Sequence, residues 1–151
     1  MPVTATAREV FETRTSLIAA GKWTEIADLY AEDTVVETPF ALPHPHRAEG
    51  REAVRAHFAR SGAGAMEMRT ENVRVHETTD PEVIVIECDY GGRFIPTGRT
   101  FDVPSVQILQ VRDGLIVSAR DFTNHAVIAA ATGQLPAVLA ALDPQPEQAR
   151  E

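Results

Sequence analysis

The sequence predicts an α+β domain in which helices cover one side of a curled, mostly antiparallel sheet and enclose a pocket. Three observations predict it. Helical spacing of apolar residues is confined to the chain before Met66 and to a short closing stretch. Between Met66 and Thr123 the period switches to strand alternation, interrupted by turn residues but by no segment with the length of a helix. The chain has 151 residues, 44% hydrophobic and 24% charged, which is the size of one domain able to bury a core. Residues 1–151 are therefore read as a single domain. Helices first and consecutive strands afterwards put the helices on one side of a single sheet, and strands this long must twist and curl it. A curled sheet closed by helices encloses a pocket, a usual place for a ligand.

Each element has a local reason. From Thr6 to Ala20, the residues Ala7, Val10, Phe11, Leu17 and Ile18 recur at helical spacing, and Gly21 stops the helix. Thr24 is the expected cap of a second, short helix through Tyr30. The β-branched run Thr34 to Thr38 is strand-like, and Pro39, Pro43 and Pro45 turn the following residues, Phe40 to Glu49, into an expected extended loop. Gly50 introduces a third helix from Arg51 to about Arg60, closed by Gly62 and Gly64. Strands follow at Met66 to His76 and Val83 to Tyr90, with a bend expected at Gly91 and Gly92 and a turn at Pro96-Thr97-Gly98. Phe101 to Val111 is the next strand, and Asp113-Gly114 is a hairpin signal that leads into Leu115 to Thr123. Asn124 is placed to cap a helix through Ala130, and Leu135 to Leu142 reads as one more. Asp143 to Glu151, with two prolines and four charges, is the expected flexible tail.

Composition excludes several functions. The balance of 14 Lys and Arg against 22 Asp and Glu gives a net charge of −8, which opposes binding to nucleic acid or an anionic membrane. Cys88 is the one cysteine, so an internal disulfide is impossible. The first residues have no basic start or apolar core, and no stretch of about 18 apolar residues follows. A cytoplasmic protein is expected.

The residue that stands out is Asp121. Strict alternation over Leu115 to Thr123 puts Leu115, Val117, Ala119, Asp121 and Thr123 on one face, so an acid ends an otherwise nonpolar row. A carboxylate there is poorly hydrated and suited to proton transfer. The plainer alternative is that Asp121 caps the next helix or pairs with an arginine. On the third helix, Val54, His57, Phe58 and Ser61 fall at i, i+3, i+4 and i+7, one stripe facing the core. His57 and Ser61 are neighbours on it. His44 and His46 with His125 or Asp121 have the right chemistry for metal ligands, but the chain lacks HExxH and paired-cysteine spacing, so no metal is expected.

The order of elements is similar to the SnoaL-like branch of the NTF2-like superfamily over about residues 7 to 142. The motifs are Leu29 to Val35, Glu49 to Val54, Pro96 to Arg99, Arg112 to Val117, and Arg120-Asp121-Phe122. This resemblance implies a cone-shaped fold with a deep pocket, a homodimer formed through the sheet, and use of no cofactor. A steroid-isomerase base would fall at Thr38 and its oxyanion donors near Arg14 and Gln107, a poor match for that chemistry. An epoxide-hydrolase-like site would use Asp89 and Asp121, with Glu87 in place of its arginine. SnoaL-type cyclases use one acid on the last strand, which corresponds to Asp121. The segments Glu77 to Asp89 and Arg120 to Asn124 resemble the phenazine-biosynthesis A/B proteins, whose glutamate, histidine and serine correspond to Asp121, His57 and Ser61. Their carboxylate-binding arginine falls at Ile26.

These comparisons imply a cofactor-independent acid/base enzyme on a small, largely apolar carbonyl compound, of cyclase, isomerase or condensation type. Asp121 and His57 are the expected catalytic pair, and Ser61, Asp89, Glu37, Tyr90, Trp23 and Phe40 complete the expected substrate-binding set. The alternatives are a small-molecule-binding module without catalysis and an epoxide hydrolase.

Overall fold

A helix that begins by satisfying its own first amides opens the chain. The computed structural model describes residues 3–62 and 64–143; most of the expected tail lies outside them. In α1 (Ala7–Ala19) the Thr6 hydroxyl accepts from the Glu9 amide at 3.2 Å, and the Glu9 carboxylate accepts from the Thr6 amide at 2.7 Å. Its buried stripe is Ala7, Val10, Phe11, Arg14 and Ile18. The next element is a single 3₁₀ turn, Ile26–Leu29, with no side-chain cap. The expected Thr24 cap is not made; the Thr24 carbonyl accepts from Arg55 Nη1 at 2.7 Å, tying this turn to the later helix.

Six strands form one sheet: β1 (Tyr30–Thr38), β2 (His46–Glu49), β3 (Met66–Glu77), β4 (Val83–Phe94), β5 (Arg99–Arg112) and β6 (Leu115–Thr123). Their order is β2-β1-β6-β5-β4-β3, antiparallel except for the parallel pair β1 and β6. The strand β2 lies where a loop is expected. Prolines cannot donate to a ladder, but His46 to Glu49 contains none, and it pairs with Val35 to Thr38. Only Pro39 to Pro45 remains between the strands.

Two further expectations are corrected. β4 does not bend at Gly91 and Gly92 but runs on to Phe94. A Cβ at Gly92 would meet the Glu67 carbonyl and the Phe101 ring, so close approach and not a turn demands glycine there. The irregularity falls instead on β3 between Glu71 and Arg74, where Asn72 has φ +52°. On β6, alternation is broken by a bulge. Leu109 pairs with Ala119 and Gln107 with Asp121, yet Val111 pairs with Ile116, leaving Val117 extra. The inward row is therefore Ile116, Ala119, Asp121 and Thr123, not the row through Leu115 and Val117. Asp113 and Gly114, with φ of +52° and +76°, make the hairpin turn as expected.

Helices α1 and α3 (His125–Thr132) contact β4 and β5, while α2 (Arg51–Gly62) contacts β1, β2 and the 3₁₀ turn; α4 (Leu135–Leu142) packs on α3. Asn124 caps α3 through its side chain, and Gly133 ends it at φ +76°. The core runs from Phe11, Ile26 and Tyr30 to Ile86, Val103, Leu109 and Ile116. Helices on one side and a curled, unclosed mixed sheet on the other leave a cavity between α1, α2 and the inward faces of β1, β5 and β6. No helix among the described residues is long and apolar enough to cross a membrane.

Candidate active site

The inward row of β5 explains the floor of the cavity. Phe101, Val103, Ser105, Gln107, Leu109 and Val111 are all buried, so this strand delivers two polar side chains into an apolar layer. Each meets a partner across the ladder. Ser105 pairs with Thr123 and Gln107 with Asp121, and the bulge on β6 is what brings Asp121 to the same side.

Two hydrogen-bonded groups result. In the first, Asp121 Oδ1 accepts from Thr123 Oγ1 at 2.5 Å and from Ser105 Oγ at 3.1 Å, and the two hydroxyls are 2.8 Å apart. Two hydroxyl protons serve three contacts. Thr123 donates to the carboxylate, and Ser105 donates either to it or to Thr123. In the second, Arg14 Nη1 donates to the Tyr30 hydroxyl at 3.2 Å and Nη2 donates to Gln107 Oε1, while Gln107 Nε2 donates to the Tyr90 hydroxyl. Arg14 is 5% exposed, and its Nε is buried without a partner. Burial opposes the charge of this guanidinium, but Tyr30, Tyr90 and Asp121 outweigh it and hold Arg14 charged.

The roof comes from β2 and α2. The rings of His46 and His57 stack with centroids 5.1 Å apart at 22°, and Phe58 stands edge-on to His57 at 5.6 Å. Burial pushes His57 below the ordinary histidine value, helped by His46 and Arg60 and opposed by Asp121. His125, at the start of α3, is pushed the same way by burial against the pull of Asp121. Both are neutral imidazoles at pH 7. The Nε2 atoms of His46 and His125 are buried with no hydrogen-bond partner. Tyr30, Val36, Ala48, Val54 and Ala119 complete the wall with Thr38 and Arg120. The space enclosed is about 90 Å³, smaller than the roughly 150 Å³ that takes a benzene. It suits a molecule of a few heavy atoms.

The structure brings Asp121 and His57 together in this cavity and leaves the other expected residues off its wall. Ser61 is on α2, but its hydroxyl donates to the His57 carbonyl at 3.1 Å, one turn back, and does not reach the ring. Asp89 is on the outer side of β4, where it accepts from Asn72 Nδ2 at 2.7 Å, because Ile86, Cys88 and Tyr90 take the inward positions. The two acids of an epoxide-hydrolase-like site therefore do not share the cavity. Glu37 faces the opposite side of β1 from Val36 and Thr38 and pairs with Arg47 at 3.1 Å. Tyr90 lies one layer behind the wall, buried, its hydroxyl held by Gln107 and pushed above the ordinary tyrosine value by burial. Trp23 is a core residue, and Phe40 is 63% exposed against Phe122. Cys88 is also packed in, its thiol pushed up to about 11 by burial.

Asn124 and not Asp121 caps α3, and among the described residues no arginine hydrogen-bonds the Asp121 carboxylate, although the charge of Arg14 acts on it. His44 is exposed, whereas His46 lines the cavity. Among the described residues no group of three or more His, Cys, Asp or Glu is arranged to hold a metal ion. The cavity-lining residues that the expected site set lacks include Arg14, Gln107, Tyr30 and His46. Arg14 and Gln107 carried a signal, each being the charged or polar member of an otherwise apolar periodic row.

Comparison with known proteins agrees with the architecture. Over 119 residues the chain is 31% identical to an uncharacterized PhzA/B-like protein of Pseudomonas aeruginosa, covering 78% of this chain and 84% of the relative. Among solved structures, a candidate isomerase from Bacillus subtilis superposes with a TM-score of 0.78 at 24% identity, covering 85% of this chain and 93% of that one. A candidate polyketide cyclase from Xanthomonas campestris superposes with a TM-score of 0.70 at 19% identity, covering 83% and 96%. At these identities the structures share the fold, which is NTF2-like and ketosteroid-isomerase-like. Residues 8–119 match the SnoaL-like domain, and the match ends just before Asp121. That span takes in five of the six strands, α2 and all of α1 but Ala7, and the chain belongs to the SnoaL-like family.

Proposed function

We propose that the cavity is the active site of a cofactor-independent acid/base enzyme acting on a small, largely apolar carbonyl compound, by cyclase, isomerase or condensation chemistry. The observation that carries this is Asp121: it is the one acid on a wall otherwise made of apolar, aromatic and uncharged polar side chains, apart from Arg14 and Arg120. Its Oδ1 is fixed by Thr123 and Ser105, which leaves Oδ2 to exchange a proton with a substrate. His57, neutral and stacked on His46, hydrogen-bonds or protonates an oxygen from the roof. The candidate isomerase and cyclase that share the fold support this class of chemistry.

A panel of small ketones, followed by proton-deuterium exchange next to the carbonyl, tests the reading. Asp121→Asn is expected to lower the exchange rate by about 10²–10⁴, the usual contribution of a placed acid or base. Unchanged exchange in this variant sinks the proposal. Ligands that bind in the cavity and are never altered would favour a binding module.

A further inference from the structure

Arg14 is the most demanding group in the cavity. It carries a full charge at 5% exposure, on a helix stripe whose other members are Ala7, Val10, Phe11 and Ile18. Its hydrogen-bond partners, Tyr30 and Gln107, are neutral, and Nε has none. A buried charge needs a compensating one. Asp121, close enough to act on Arg14, is the only anion among the wall residues. The buried charges of the resting cavity are therefore Arg14 and Asp121, which do not hydrogen-bond each other; the second cation of the wall, Arg120, is half-exposed and faces Glu37 at 4.0 Å.

We propose that Arg14 is a catalytic residue that receives the negative charge of the reaction, and that it restricts the substrate to an uncharged, enolisable carbonyl compound. This rests on Asp121 as the proton acceptor. When Asp121 takes the proton α to the carbonyl, the C–H electron pair becomes the new C=C bond and the C=O π pair moves to the oxygen. Before the step Arg14 is positive, Asp121 negative and the substrate neutral. After it Arg14 is positive, Asp121 neutral and the substrate an enolate. The enclosed charge is the same on both sides of the step, and the buried guanidinium never loses its counter-charge. Tyr30 and Gln107 take one N–H each from Nη1 and Nη2, so the unpartnered Nε–H and the second hydrogens of Nη1 and Nη2 are the donors available to the oxygen. Neutral His57 can add a hydrogen bond but no charge. A substrate already carrying a carboxylate would place two anions beside one buried cation, Arg14, in a cavity of about 90 Å³, with Arg120 half-exposed and turned to Glu37.

Acetate, a four-atom anion, is the probe. Asp121→Asn removes the resident anion with almost no change of shape, so acetate should bind this variant at least about tenfold more tightly than the wild type by calorimetry at pH 7.5 and low salt. Adding Arg14→Gln should abolish the gain. Adding Arg14→Lys, which keeps the charge, should retain part of it and separates loss of the cation from loss of the fold. Equal binding to wild type and Asp121→Asn, or a gain that survives Arg14→Gln, overturns the proposal. The acid/base reading fails by a different result, ketone exchange unaffected by Asp121→Asn, and the acetate measurement is independent of it.

Discussion

Ser61 stands four residues after His57 on α2, with its hydroxyl committed to the His57 carbonyl at 3.1 Å. The helix stripe of Val54, His57, Phe58 and Ser61 is real, but the last of these ends in a backbone bond that serine makes readily within helices. Ser61→Ala is expected to leave ketone exchange unchanged and to alter stability by no more than about 0.5 kcal/mol; a clear fall in exchange rate would restore Ser61 to the site. Arg14 is the converse case. Its place four residues after Val10 and Ile18's place four residues after it put a cation on the buried stripe of α1, visible from spacing. That it meets Tyr30, Gln107 and Asp121 was not visible, because those residues lie 16, 93 and 107 positions away and only the packed fold joins them.

At the scale of the element, the sheet shows which local rules hold against tertiary contacts. The hairpin at Asp113-Gly114, the capping of α3 by Asn124 and the stop at Gly21 depend on a few consecutive residues and form as read. The bulge at Val117 has no such signature. It is set by the pairing of β6 with β5, and it alone decides that Ile116 joins Asp121 on the inner side. Gly92 is also explained by its neighbours: Glu67 on β3 and Phe101 on β5 close over it. Gly92→Ala is expected to destabilise the protein by about 1–3 kcal/mol through forced displacement of that backbone, measured as a shift of the urea midpoint. Unaltered stability would mean that β3 yields freely there.

For the whole molecule, two half-buried histidines make stability depend on pH. Burial depresses His57 and His125 below 6.5 in the folded protein, the value they regain on unfolding. In the window between 6.5 and the depressed values the unfolded chain binds more protons than the folded one, so stability is full above 6.5 and declines as pH falls. The shifted carboxylates, Glu9 and Glu82, titrate lower, below 4.5. The Tm should therefore drop between pH 7.5 and 5.5, and less so in His57→Gln and His125→Gln. A flat profile, or a drop in both variants equal to that of the wild type, contradicts this.

Much about this protein was determined by the sequence alone. Periodicity and turn residues suffice for the α+β class, the order of nearly every element, the stripe that carries His57 and the acid on the last strand, since each depends on neighbours within one or two turns. Tertiary structure alone decided that Phe40 to Glu49 contributes a strand, that Asp89 and Glu37 face away from the cavity, and that Asp121 opposes Gln107 and shares its enclosure with Arg14. The reason is physical: a strand's period states that side chains alternate, while which alternate set is buried depends on partner strands and bulges that distant residues impose.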